Sequence, residues 1–448
     1  MSQLYCGASR RDITPPAALL PRLVGLKQHR FAGVLDEIYV RAAVFTAGGE
    51  SLLFLGFDMT TAPCAKEVLE KLAEATGIPE DHIFFYSIHT HAVPFNAIDM
   101  EEREKQSEDT LIASEAYTQY LWHEAVRAAE EAMAARQPAR MGWALGESCV
   151  NVCRLQDYIY TDENGAPFTV CNLGADFAKP VDRRLFTLRV ETPAGAPILF
   201  MVNYPMHNVA TIWNDLDGEG RMGVSGDIGG GVSRLLEAQY PGSVAMWQSG
   251  AAGDLNPILL NEVILPDPVT GRTREIPVKG ADFARHCLRI MTERHYADIR
   301  RTLMNVRCGV DDTEIASDAE WSVTPGVDCI RHHGAPPEFI QGPEVPEHTV
   351  RLQMARVGGL HICGVGAELY SSIGRAMLEE IPGDALLITH NMSALCQSHY
   401  ILDDETIARC DASRGFAMVP GYDEYRCMAG VMKDDLCGHV RNLIEKTK

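Results

Sequence analysis

Three glycine turns, each between two apolar runs, constrain the fold more than any other feature of this sequence. Ala47-Gly48-Gly49-Glu50 separates residues 38–45 from 51–57. Thr192-Pro193-Ala194-Gly195 separates 185–191 from 198–203, and Gly358-Gly359 separates 350–357 from 361–365. Glycine supplies the positive φ that tight hairpin turns demand. Hairpins interspersed with helical stretches predict an α/β fold of the α+β, mixed-sheet kind, with flanking helices and long insertions. They argue against a (β/α)₈ barrel, which needs strands and helices in regular alternation.

Between the hairpins, residues 64–76 have helical periodicity and stop at Gly77, a good C-cap. Residues 98–113 are acidic and polar and read as a loop, and 116–135 read as a long amphipathic helix. Residues 141–152 read as one strand ending at Arg154. Residues 228–239 read as a helix with Asp227 as its N-cap. Residues 259–279 form a polar insertion with hairpin character. Residues 309–347, rich in Pro, Gly and charge, read as a lid or binding loop. Residues 425–448 read as a helical tail. No repeat and no linker is visible, so 1–448 reads as a single catalytic domain.

Lys and Arg number 40 against 61 Asp and Glu, and the net charge of −21 disfavours nucleic acid and anionic membranes as partners. No apolar run is long enough to span a bilayer. The N-terminus lacks the basic-then-apolar pattern of an export signal. The 13 cysteines are scattered among apolar residues, as reduced thiols in a cytoplasmic protein are. A small-molecule substrate fits this composition, and so does a homo-oligomer.

Polar residues recur where apolar strands end. His89 and His91 follow the run Ile83-Phe84-Phe85-Tyr86; Arg154 and His207 also end strands, and Glu368 opens a helix. In an extended chain, residues two apart face one side, so His89 and His91 can enter one pocket. Two His and one Glu form several catalytic zinc sites, which keep a position open for water or substrate. Each residue also has a plain role: a loop cap or surface residue for the histidines, a helix-dipole partner for Glu368, an ion pair for Arg154. Tyr400 reads equally as a half-buried aromatic, and Gly250–Gly253 as a turn or as an oxyanion cradle. His332, His333, His348, His390 and His399 have no ligand-like context.

Taken in order, these pieces resemble the catalytic domain of the neutral (non-lysosomal) ceramidases. The matching segments are Asp12-Ile13-Thr14-Pro15-Pro16, His89-Thr90-His91, Asn151-Val152-Cys153-Arg154 and Tyr204-Pro205-Met206-His207. Then come Ser225-Gly226-Asp227, Gly250-Ala251-Ala252-Gly253-Asp254 with Asn256-Pro257, Gly366-Ala367-Glu368 and His399-Tyr400-Ile401. That family is zinc-dependent and hydrolyses the amide bond of N-acyl sphingosine. The resemblance implies zinc ligands His89, His207, Glu368 and Tyr400, one ion per chain, with His91 and Arg154 at the reacting centre. A second family tyrosine, at the substrate, falls near Tyr422. The family's active-site serine falls on Gly250, with Ser249 beside it. The chain also ends without the family's C-terminal immunoglobulin-like domain, which with the missing export signal predicts a short cytoplasmic member.

The resulting expectation is a zinc-dependent amidohydrolase acting on an N-acyl or related acyl bond in a small substrate. Zinc-bound water attacks the carbonyl, His91 moves protons, Arg154 positions or neutralises the substrate, and the Gly250 N–H holds the oxyanion. Ser249 is expected to face away from the zinc. The alternatives are a ceramidase proper, and a zinc-containing protein that binds a ligand without catalysis.

Overall fold

The computed structural model describes residues 2–161, 164–266, 273–330, 338–340, 347–397, 400–412, 426–427 and 430–448. Its three larger sheets share one plan: a hairpin, a helix, and a strand that returns parallel to the hairpin's second strand. In the first, Tyr39–Ala47 and Glu50–Phe57 form the hairpin. The helix Lys66–Thr76 leads to Ile83–Ser87, which pairs parallel with Glu50–Phe57. In the second, Arg184–Glu191 and Pro197–Tyr204 are followed by the helix Asp227–Gln239 and the parallel strand Val244–Ser249. In the third, His348–Val357 and Leu360–Val365 are followed by the helix Ser371–Glu379 and the parallel strand Ala385–Ile388. Each hairpin also carries an antiparallel strand on its outer side: Tyr5–Asp12, Arg140–Glu147 and Ile315–Thr324 respectively. The sequence shows no repeat, yet the chain repeats this unit three times. Sheet pairing needs only apolar alternation and a turn in each unit, so three unrelated sequences can meet it.

This plan aims the chemistry. The second hairpin strand and the returning strand run parallel, so their C-terminal ends open at one edge, where α/β sheets bind ligands. Three residues beyond the second strands, which end at Phe57, Tyr204 and Val365, stand Thr60, His207 and Glu368. Two residues beyond the returning strands, which end at Ser87, Ser249 and Ile388, stand His89, Ala251 and His390. Between the sheets, Phe54, Phe84, Phe186, Met201, Met246, Leu386 and Ile388 share one buried apolar cluster. Its burial is worth about 25 cal/mol per Å² of apolar surface and clamps the three units together.

Several sequence expectations need correction. The long helix is Glu108–Ala134, so it takes in residues read as loop; Ser107 starts it by accepting from the Thr110 N–H. The stretch read as one strand over 141–152 is two, Arg140–Glu147 and Asn151–Thr161. Ile315–Thr324 is an edge strand, although 309–347 read as irregular. Its small and polar side chains hide the alternation that marks a buried strand. The 259–279 insertion holds the antiparallel pair Glu262–Pro266 and Thr273–Pro277. No helix among the described residues is long and apolar enough to cross a membrane.

One buried histidine in the frame makes stability depend on pH. His295, in the helix Ala281–Leu303, accepts from the Trp247 indole N–H at Nε2 (3.1 Å), and its Nδ1 lies 3.0 Å from Ser148 Oγ. An indole only donates, so Nδ1 carries the ring proton and gives it to Ser148, whose own hydroxyl donates to Asp298 (2.8 Å). Burial pushes His295 down to about 3. The folded pKa lies below the unfolded one, so the unfolded chain takes up the proton first. Stability is therefore lost as pH falls from about 6.5 towards 3, by roughly 2–3 kcal/mol between pH 7 and 4.5. In urea unfolding, His295→Gln is expected to lose that much less than wild type between the two pH values; equal losses would contradict the assignment.

Candidate metal centre

His89 and His207 are each fixed by a carbonyl. His89 Nδ1 lies 3.0 Å from Thr60 O, and His207 Nδ1 lies 2.7 Å from Ala252 O and 3.1 Å from Leu255 O. Carbonyls only accept, so both rings carry their proton on Nδ1 and turn a bare Nε2 lone pair inward. Both lone pairs face the same carboxylate oxygen, Glu368 Oε2, at 3.2 and 3.1 Å. Three acceptors converging in a buried place repel one another unless a cation or proton lies among them. Their separations fit a cation: tetrahedral ligands about 2.0–2.1 Å from a zinc ion stand roughly 3.3 Å apart. Burial, reinforced by the Arg154 charge, pushes His207 down to about 4, so it stays neutral and ready to ligate at neutral pH.

His91 lies beside this group, its Nε2 3.0 Å from His89 Nε2 and its ring nearly perpendicular to the His89 ring. The two meet for a different reason from strand alternation. His89 has φ +61°, so the chain bends there instead of running extended. Hydrogen bonds from its own unit and the neighbouring one hold the bend. Thr90 donates to Ser225 O, Thr60 Oγ1 donates to Thr90 O, and Asn208 Nδ2 donates to Ile88 O. Burial and the surrounding imidazoles hold His91 well below its ordinary pKa, and its Nδ1 is buried without a partner.

Tyr400 comes to the centre by backbone pairing. Glu368–Leu369 runs parallel to Tyr400–Ile401, with Glu368 opposite Tyr400. The phenol oxygen lies 3.5 Å from His207 Nε2 and accepts from Arg154 Nη2 at 3.2 Å; burial raises its pKa. Arg154 is buried and braced by two hydrogen bonds to Gly253 O, 2.9 and 2.6 Å. Asp227 does more than open its helix. Its carboxylate accepts from the N–H groups of Ala210 and Thr211 and from the Thr211 hydroxyl, clamping the segment after His207.

The 249–250 pair is spent on the frame. Ser249 is buried, and its Oγ donates to Gly250 O at 3.1 Å. The Gly250 N–H, expected to hold an oxyanion, donates to Tyr204 O at 3.0 Å, and a Cβ at Gly250 would meet the Pro205 backbone at 3.2 Å. Tyr422, His332, His333 and His399 lie outside the described residues. His390, set aside in the sequence, stands at the centre with its ring stacked on His89 at 4.0 Å. Its signal was available: like His89, it follows the end of a short apolar strand by two residues.

No protein-family model matches the chain, and no curated protein does. Among solved structures, the neutral ceramidase from Pseudomonas aeruginosa superposes with a TM-score of 0.66 at 15% identity, covering 100% of this chain and 74% of its own. The fold is that of the neutral ceramidases. A second ceramidase structure, described as complexed with C2, gives a TM-score of 0.69 at 16% identity over 99% of this chain and 76% of its own. The ceramidase fold extends over the whole chain.

Proposed function

We propose that this chain is a zinc-dependent hydrolase of an N-acyl amide or related acyl bond in a small substrate. The observation that carries the proposal is the convergence of two bare imidazole lone pairs, His89 and His207, on the Glu368 carboxylate. These three residues would hold the ion, with Tyr400 as the fourth ligand. When bound, the ion supplies Lewis-acid polarisation of the carbonyl and a water nucleophile at neutral pH. Neutral His91 stands where it can take a proton from the attacking water and return it to the leaving amine. Arg154, braced on Gly253 O, offers a fixed cation to the substrate and steadies the Tyr400 phenol.

A serine nucleophile is disfavoured by the hydrogen bonds of Ser249. Ser249→Ala is expected to cost less than about tenfold in kcat/KM, under ~1.4 kcal/mol. A trapped acyl-Ser249 adduct in mass spectrometry would contradict this.

The fold favours a second reading, ceramide itself as substrate. Against it stands the net charge of −21, which opposes approach to anionic lipid surfaces. The test is kcat/KM of purified, zinc-loaded protein for ceramide and for short water-soluble N-acyl compounds. Preference for the short compounds supports the proposal, preference for ceramide supports the second reading, and no turnover of either sinks both.

A further inference from the structure

Away from the metal centre, a cleft of about 530 Å³ gathers Arg189, Arg300, Arg301 and Arg307 over an aromatic floor. Arg189 and Phe200 face each other across the hairpin of the second unit, close to its turn. His207 lies beyond the other end of the same strand. Directly paired residues share a face of the sheet, and this is the helix-covered face, because Phe200 belongs to the apolar cluster of Leu236 and Ile299. The Phe200 ring lies 4.8 Å from the Tyr240 ring, and Leu303 and Val306 extend the apolar wall. The volume is that of a small-molecule site. A cleft of about 570 Å³ between the helices Lys66–Thr76 and Glu108–Ala134 differs in charge: Lys71 is set against Glu74 and Glu130, so it selects neither sign.

Among the described residues, no acidic side chain lines the arginine cleft. Arg189 and Arg140 share one carboxylate, Glu191, each at 2.7 Å, and Arg301 reaches Asp298 at 3.3 Å. Arg300 stands over the Tyr296 ring at 5.9 Å, and Arg307 Nη1 donates to the carbonyls of Met304 and Val306. Neither Arg300 nor Arg307 forms an ion pair among the described residues. These five guanidiniums therefore meet two carboxylates, in a chain whose net charge is −21. Arg189 Nε is also buried without a hydrogen-bond partner among the described residues, the kind of orphan donor that an ordered ligand or water satisfies. Arg300 and Arg301 lie in the last turn of the helix Ala281–Leu303, where the macrodipole favours cations. That accounts for those two, but Arg189 is on a strand and Arg307 is past the helix.

We infer that this cleft binds a phosphate monoester with a flat apolar body, an aryl or nucleoside phosphate. The planar guanidinium fork matches phosphate oxygens two at a time. The charge selects phosphate over carboxylate. Arg300 and Arg307 offer two uncompensated cations, a phosphate monoester carries about −1.5 to −2 at pH 7, and a carboxylate carries one charge. The body follows from the floor. Phe200, Tyr240, Leu303 and Val306 present apolar surface beside the arginines, which a bare phosphate ion would leave uncovered. The site stands apart from the hydrolase reading and does not rest on it.

The test is calorimetric titration of the full-length, zinc-loaded protein with phenyl phosphate and with adenosine monophosphate. Repeating it on the His89→Ala/His207→Ala variant removes zinc as a rival phosphate ligand. We expect one site per chain with Kd below about 1 mM, unchanged in that variant. Inorganic phosphate and benzoate should each bind at least about tenfold more weakly, the first for want of a body and the second for want of charge. Arg300→Gln/Arg307→Gln should weaken phenyl phosphate by about 10²-fold, as loss of two charged hydrogen-bond donors does. Both arginines are exposed, and glutamine keeps an N–H for the two carbonyls that Arg307 caps, so the urea midpoint should stay at the wild-type value. Tighter binding of adenosine monophosphate identifies a nucleoside phosphate and tighter binding of phenyl phosphate a simple aryl phosphate; either supports the site. Four results overturn it: no binding of either ester, affinity of the double arginine variant within about threefold of wild type, loss of binding in a folded His89→Ala/His207→Ala variant, or inorganic phosphate or benzoate binding as tightly as phenyl phosphate.

Discussion

Replacing His89 and His207 together with alanine is expected to empty the centre of metal and to lower kcat/KM at least about 10³-fold, with the fold retained. Each ring is anchored by a carbonyl from another segment, Thr60 for His89 and Ala252 for His207. The Nε2 atoms therefore face Glu368 without freedom to swing away, and their removal leaves one carboxylate and a phenol. Those two ligands are too few for the closed tetrahedral set that zinc favours. The carbonyl anchors belong to the strand ends, which the substitution does not touch, so circular dichroism should match wild type. Elemental analysis checks the metal. A double variant that keeps one zinc per chain would show that the ion lies elsewhere.

The second large effect concerns the frame. Asp58→Ala is expected to cost about 3–5 kcal/mol of stability. Asp58 accepts both 3.0 and 2.9 Å hydrogen bonds from Arg41 Nη1, and Arg41 Nε donates to Glu237 at 2.9 Å; Arg41 and Asp58 are fully buried and Glu237 nearly so. Arg41 belongs to the first unit and Glu237 to the helix of the second, so the cluster ties two repeats together. Without Asp58, Glu237 is the one carboxylate among the described residues left paired with the buried guanidinium, and Arg10 also engages it. Asp58 lies two residues before Thr60, the anchor of His89. The same variant should therefore weaken zinc about tenfold or more, as loss of a group that orients a ligand does. Urea unfolding and a competitive zinc titration measure the two effects; a stability change under about 1 kcal/mol would contradict the first.

The hairpins, the helices at 64–76 and 228–239 and the polar strand ends were legible because turn glycines and apolar periodicity are local signals. Convergence was not legible. His89, His207 and Glu368 are far apart in sequence, and only the repeated unit brings their strand ends to one edge. The resemblance to ceramidases named these residues, and the fold accounts for their meeting. The repeat is invisible in the sequence because its three copies share pairing geometry rather than residues. His390 shares with His89 the position two residues past a short apolar strand, but no second histidine or other motif residue stands beside it. It is placed by the left-handed turn it shares with His89, and a dihedral angle cannot be read from composition. Gly250 looked like an oxyanion cradle, as a glycine-rich turn does. Its N–H is taken by a strand partner, Tyr204, that the sequence does not reveal.

Zinc titration of chelator-stripped protein, followed simultaneously by bound zinc and by cleavage of a short N-acyl substrate, measures whether hydrolysis depends on the metal centre. The stripped protein is expected to show no cleavage, and the rate to rise in proportion to bound zinc and level at one ion per chain. Cleavage that survives complete removal of the metal, or a fully zinc-loaded protein that cleaves no N-acyl bond, would contradict it.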